Sequence, residues 1–158
     1  MSAAVKTPTP FLSKKILLNA LDSLNVKYQI INDVIQTDRQ DYYGNQSFIW
    51  NGERYLFQHD SGADSVYSSW QKTNTKEWKT VTQFLSAVGN AYNLAYQQHI
   101  EELERMRLEE KKKQLEKERK AYIEKQRQSV IAKAKSQGYG VKEKQKNGRI
   151  QLVLVRHI

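Results

Sequence analysis

From Leu94 to Gln137 the chain runs for 44 residues without a single Gly, Pro, Asn or Asp. Those four residues are the usual helix breakers and terminators, so their absence predicts one unbroken helix. At about 1.5 Å per residue such a helix is roughly 66 Å long, about twice the diameter of a small domain. Gly138 then supplies the residue that most often ends a helix in left-handed geometry. A helix of this length either leaves the domain that starts it or folds back on itself. If it folds back, the basic triplet Lys111-Lys112-Lys113 is where the reversal would fall.

The charge pattern says how such a helix survives in water. Between Glu101 and Gln128 lie eight Glu and ten Lys or Arg. Glu101/Arg105, Glu109/Lys113 and Glu116/Lys120 sit four residues apart with the acid first, each pair worth roughly 0.2–0.5 kcal/mol. Leu94, Leu108, Leu115 and Tyr122 share a seven-residue register, but Glu101 and Ser129 interrupt it and the second position of each heptad is mostly charged. The pattern favours a solvated helix. A weak coiled coil or helical hairpin and a nucleic-acid-binding basic helix are the alternatives.

On either side lie shorter elements. Residues 1–12, with Pro8 and Pro10, read as a flexible entry. Ser13 is placed to cap a helix whose stripe is Leu17, Leu18, Ala20, Leu21 and Leu24. Val26 to Thr37 is rich in β-branched residues and reads as one strand, followed by a polar turn from Asp38 to Gln46. Ser47–Trp50 and Glu53–Phe57 flank Asn51-Gly52, which predicts a hairpin with a tight type I′ turn. Phe48, Trp50, Tyr55 and Phe57 alternate, so one face carries aromatics; Trp70 in the loop beyond is expected to pack onto the core. A helix resumes at Thr80 or Thr82, with Val81, Phe84, Leu85, Val88, Tyr92 and Tyr96 three or four apart. The tail is a second hairpin, Tyr139–Arg156, turning at Asn147-Gly148 with Ile150, Leu152 and Leu154 on one face. An isolated two-stranded ribbon is marginal in water. The tail is therefore expected to bury that face on its own domain after a reversal or, the favoured outcome, on a second subunit or partner.

The expected fold class is α+β, in the order α-β-β-β-α-β-β: a small antiparallel sheet with two hairpins packed on helices. Residues 13–158 are expected to form a single domain carrying a charged helical insertion at 98–128.

Composition removes several functions. No apolar run approaches the roughly 18–20 residues of a membrane span, and the start lacks the apolar core of a secretory signal. With no cysteine there is no disulfide, thiolate nucleophile or cysteine-type metal site. Phosphate-loop, dinucleotide and nucleophile-elbow patterns do not occur. His59-Asp60 with Asp64 suggests a metal or acid–base site, but His99 and His157 have no ligand spacing to them. Asp33, Asp38 and Asp41 are as well explained by turn chemistry. Ser68-Ser69 has no base nearby in sequence. An enzyme is not expected, nor a metal or cofactor.

The net charge of +9 is of the sign that attracts phosphate, which keeps a nucleic-acid partner open. The candidate partner or nucleic-acid contacts are Lys111, Lys112 and Lys113 on the helix, and Lys142, Lys144, Lys146 and Arg149 around the second turn. The aromatic face of the first hairpin is placed to stack bases, although in so small a sheet it is more simply the core. The lysines of the tail also serve to keep an edge strand from pairing. The leading functional expectation is a non-catalytic adaptor that docks a protein partner through the α+β core and the long charged helix. A basic nucleic-acid-binding protein is the alternative, and a homo-oligomer is a further candidate assembly.

Three blocks of these residues resemble the hypothetical chloroplast reading frame thirty-five family of cyanobacteria and plastids. They are Leu17, Ala20, Leu21 and Leu24; Phe48-Ile49-Trp50-Asn51-Gly52-Glu53-Arg54-Tyr55 followed by Trp70; and Phe84-Leu85 and Tyr92, rejoined by Gly138-Tyr139 and Asn147–Leu154. Together they span roughly two-thirds of the chain. Ala91 stands where members of the family tend to carry Arg, and the stretch 98–128 resembles an insertion that compact members lack. The resemblance implies a small soluble α+β protein of the cyanobacterial or phage-infected cytoplasm or the plastid stroma, and brings no catalytic residue.

Overall fold

The computed structural model describes residues 3–62 and 78–156. They form an α+β protein in two compact units, residues 1–103 and 104–158. The boundary between the units falls inside one long helix, between Leu103 and Glu104.

The first unit holds a five-stranded antiparallel sheet. Its strands are β1 (Ala4–Pro8), β2 (Tyr28–Ile31), β3 (Val34–Asp41), β4 (Gly44–Trp50) and β5 (Tyr55–Asp60), in spatial order β1-β5-β4-β3-β2. β1 corrects the expectation of a flexible entry. Val5 pairs with His59 and Thr7 with Phe57, and Pro8 is tolerated because β1 is an edge strand. The expected strand 26–37 is in fact two. Asn32 and Asp33 take φ of 49° and 63° between the paired residues Ile31 and Val34, which is a two-residue type I′ hairpin. β3 and β4 also fill most of the expected polar turn 38–46.

The Asn51-Gly52 turn is wider than expected. Trp50 pairs with Tyr55, leaving four residues in the loop. The Asn51 Oδ1 accepts from the backbone N–H groups of Glu53 and Arg54 at 2.9 and 2.8 Å, so the side chain caps its own turn and only Gly52 needs positive φ.

Helix α1 (Lys14–Ser23) begins where Ser13 Oγ accepts from the Ile16 N–H and ends where Asn25 turns left-handed. It buries Ile16, Leu17, Ala20 and Leu21. Helix α2 (Val81–Ser136) begins with a reciprocal cap: the Gln83 N–H donates to Thr80 Oγ1 at 3.1 Å, and Gln83 Oε1 accepts from the Thr80 N–H. Its Val81, Phe84, Val88 and Tyr92 meet the inner sheet residues Ile35, Phe48, Tyr55 and Phe57 in one core. Tyr92 Oη accepts from the N–H groups of Leu12 and Ser13, tying α2 to the start of α1. Trp50 departs from the expected core position. At the end of its strand it is 42% exposed, while its neighbour Tyr55 is 4% exposed.

α2 is unbroken for 56 residues, so no reversal occurs at Lys111–Lys113. The second unit contains the rest of α2 from Glu104, together with β6 (Tyr139–Lys146) and β7 (Arg149–Arg156), which among the described residues pair only with each other. Lys146 faces Arg149 across Asn147 (φ 53°) and Gly148 (φ 72°), the tight type I′ turn the sequence predicts.

Candidate nucleic-acid interface

Two polar clusters of the first unit are used up by structure. Arg39 is 1% exposed on the inner face of β3. Its Nε donates to Gln46 Oε1 at 2.9 Å, one terminal nitrogen donates to the Trp78 carbonyl at 2.8 Å, and the guanidinium lies 4.4 Å from the centre of the Phe84 ring. Asp41 Oδ2 accepts from Gln46 Nε2 and from the Asp60 N–H, so this network fixes the entry of α2 over the sheet. His59 is engaged through both ring nitrogens. Nδ1 faces the Asp60 carbonyl at 2.8 Å and must donate, and Nε2 lies 2.8 Å from Thr7 Oγ1, a hydroxyl able to donate or accept.

Asp33, Asp38 and Asp41 do not converge as a site. Asp33 sits in the β2–β3 turn and Asp41 accepts from the Tyr43 N–H, as turn chemistry requires. Among the described residues no three His, Asp or Glu side chains gather as metal ligands, and no helix is long and apolar enough to cross a membrane. Asp64, Ser68, Ser69, Trp70 and His157 lie outside the described residues.

The first unit also has a shallow groove of about 280 Å³ lined by Leu12, Lys14, Asp33, Trp50 and Tyr55. Its cation is already matched, because Lys14 Nζ lies 2.9 Å from Asp33 Oδ1. That hydrogen bond raises the Lys14 pKa, against a smaller lowering by burial. The aromatic face expected to stack bases is closed: Phe48, Tyr55 and Phe57 are buried in the core.

Charge is distributed very differently in the second unit. Residues 104–158 carry 17 Lys and Arg against 7 Asp and Glu, while residues 1–103 carry 9 against 10. The whole positive surplus of the protein belongs to the second unit. From Lys125 to the end there are nine Lys and Arg and one acid, Glu143.

The register of the ribbon sorts these groups. Lys146 pairs with Arg149, Lys144 with Gln151 and Lys142 with Val153, so these six side chains share one face. The opposite face holds Val141, Glu143 and Gln145 against Leu154, Leu152 and Ile150. Glu143 Oε1 on that face accepts from Arg127 Nε at 3.0 Å and from a terminal Arg127 nitrogen, and Arg127 also reaches Glu124. These bonds, Glu143 first, raise the Arg127 pKa. The ribbon's one acid is thus turned toward α2 and neutralised there, and the basic face points away. Neither a family model, nor a curated protein, nor a solved structure matches the chain.

Of the residues singled out from sequence, Lys142, Lys144, Lys146 and Arg149 come together. Lys111, Lys112 and Lys113 do not: all three are exposed, but successive helical residues are turned by about 100°, so they fan around α2. Gln151, Lys125, Lys133 and Lys135 were not singled out. A count of charge in the last quarter of the chain would have found the lysines, and strand alternation would have found Gln151. Of the three acid-first helical pairs, Glu116–Lys120 closes at 3.0 Å, and the other two form no ion pair among the described residues.

Proposed function

We propose that this is a non-catalytic nucleic-acid-binding protein whose second unit holds the phosphate backbone and whose first unit is a stable, nearly neutral head. The observation that carries the reading is the nine-to-one excess of Lys and Arg over acid from residue 125 onward, all but the half-buried, ion-paired Arg127 displayed on exposed helix and ribbon. Cations on such a surface release condensed counterions when they meet phosphates. The measurement is a titration of labelled nucleic acid by anisotropy over a range of salt. Log K is expected to fall linearly with log salt, by about 0.9 for each phosphate neutralised on duplex DNA. Binding that is absent or independent of salt overturns the reading.

A protein-docking role is the second reading, favoured by Leu108, Leu115 and Tyr122, which stand 55–64% exposed at seven-residue spacing. A stoichiometric complex that survives nuclease treatment, in a protein that shows no salt-dependent nucleic-acid binding, supports it over the first. The resemblance to the reading-frame family adds a cyanobacterial, plastid or cyanophage setting to either reading.

A further inference from the structure

The basic face of the ribbon is built for a particular form of nucleic acid. We infer that β6 and β7 enter the major groove of double-stranded B-form DNA with Lys142, Lys144, Lys146, Arg149 and Gln151 toward the bases. This rests on the nucleic-acid reading above and narrows its substrate class.

Shape is the first argument. A two-stranded ribbon with strands about 4.8 Å apart fits a major groove about 12 Å wide. The connection between the strands is the shortest possible, two residues from Lys146 to Arg149, so the tip stays slender. Nothing lies within 4 Å of where a side chain on Gly148 would begin, so the tip is open on that side.

Chemistry is the second. Alternate residues on β6 place the three lysines about 7 Å apart along one line, with Arg149 beside Lys146 and Gln151 beside Lys144. Lys and Arg donate to guanine O6 and N7, and Gln pairs with adenine N6 and N7. Val153, on the same face and 37% exposed, supplies apolar contact of the kind a thymine methyl takes. The one carboxylate of the ribbon would repel the DNA phosphates if it faced outward, and it is held on the other side by Arg127.

The same face argues against the competing forms. Single-strand binding depends on stacking bases on aromatic rings. The paired face from Lys142 to Val153 has none, and the aromatics of the first hairpin are buried apart from Trp50. The major groove of A-form RNA is too deep and narrow for side chains to read.

The test compares the full-length protein on one sequence presented as duplex DNA, duplex RNA and single-stranded DNA, followed by dimethyl sulfate footprinting of the DNA complex. Duplex DNA is expected to bind about tenfold or more tightly than the other two. Guanine N7, which faces the major groove, should be protected, and adenine N3, in the minor groove, should stay reactive. Lys144→Ala and Arg149→Ala, checked by circular dichroism for an intact fold, should lose the N7 protection, and Lys144→Arg should retain it. Equal affinity for the three forms, or salt-dependent binding that leaves N7 reactive, overturns groove insertion while the broader reading stands. Salt-independent or absent binding to all three overturns both.

Discussion

The two units are held together by different physics. The first completely buries Phe48, Phe57, Phe84, Leu17 and Leu21, and it sets its polar groups into hydrogen-bonded networks such as Arg39–Gln46–Asp41. Among the described residues of the second unit, Ala134 is the only hydrophobic side chain that is buried. Its order comes from helix hydrogen bonds, a breaker-free sequence, the β6–β7 ladder and the ion pair of Arg127 with Glu143. Burial confers cooperativity, whereas a solvated helix melts gradually. The unit that spends little surface on a core is the one whose surface carries the charge.

The sharpest test separates the units. Residues 1–103 expressed alone should keep a cooperative thermal transition, because every hydrophobic residue of the main core lies within them. Residues 104–158 alone should give a helical circular-dichroism signal that declines gradually. A cooperative transition in the isolated second unit, or its loss from the first, breaks the comparison.

Phe48→Ala is the next largest effect. Phe48 is fully buried, with its ring centre 4.6 Å from that of Phe57, and its removal should cost about 3–5 kcal/mol in denaturant unfolding. Trp50→Ala should cost less, about 1–2 kcal/mol, because the ring already keeps 42% of its surface in water. A loss as large as that of Phe48 would put Trp50 back in the core.

Alkaline pH probes the first unit through Tyr55. Burial raises the phenol pKa above its usual value near 10, with Lys14 lowering it and Asp33 raising it more weakly. The folded pKa is the higher one, so the neutral phenol's stabilisation is complete below the unfolded pKa and is lost as pH rises through the folded value. Unfolding measured above about pH 10 should therefore weaken more steeply in the wild type than in Tyr55→Phe. Equal slopes would mean that Tyr55 is better solvated than its 4% exposure implies.

The smallest effect is expected on α2. Leu115 is 55% exposed, and Leu115→Ala should change stability by no more than about 0.5 kcal/mol in dilute solution. A larger loss that grows with protein concentration would identify the Leu108–Tyr122 stripe as an association seam.

Local signals were the readable ones. The helix start at Thr80, its end before Gly138 and the Asn147-Gly148 ribbon are all encoded within a few residues, and the alternation of Lys142, Lys144 and Lys146 already implied one basic face. The Asn32-Asp33 turn was equally local, but it is hidden among β-branched neighbours that read as one strand. The four-residue loop at Asn51–Arg54 depends on a side-chain cap that competes with the tight turn for the same dipeptide.

What the sequence determined by itself is therefore the long helix, the caps at its ends and the charged character of its last half. These follow from backbone preference and the spacing of neighbours. Only the tertiary structure decided that β1 joins the sheet, that Arg39 lies inside and Trp50 half outside, and that Glu143 turns to Arg127 on the side of the ribbon opposite its cations. The physical reason is that burial and ion pairing are properties of surroundings. A strand's alternation names two faces, and what packs against each decides which is the core and which remains open to a partner.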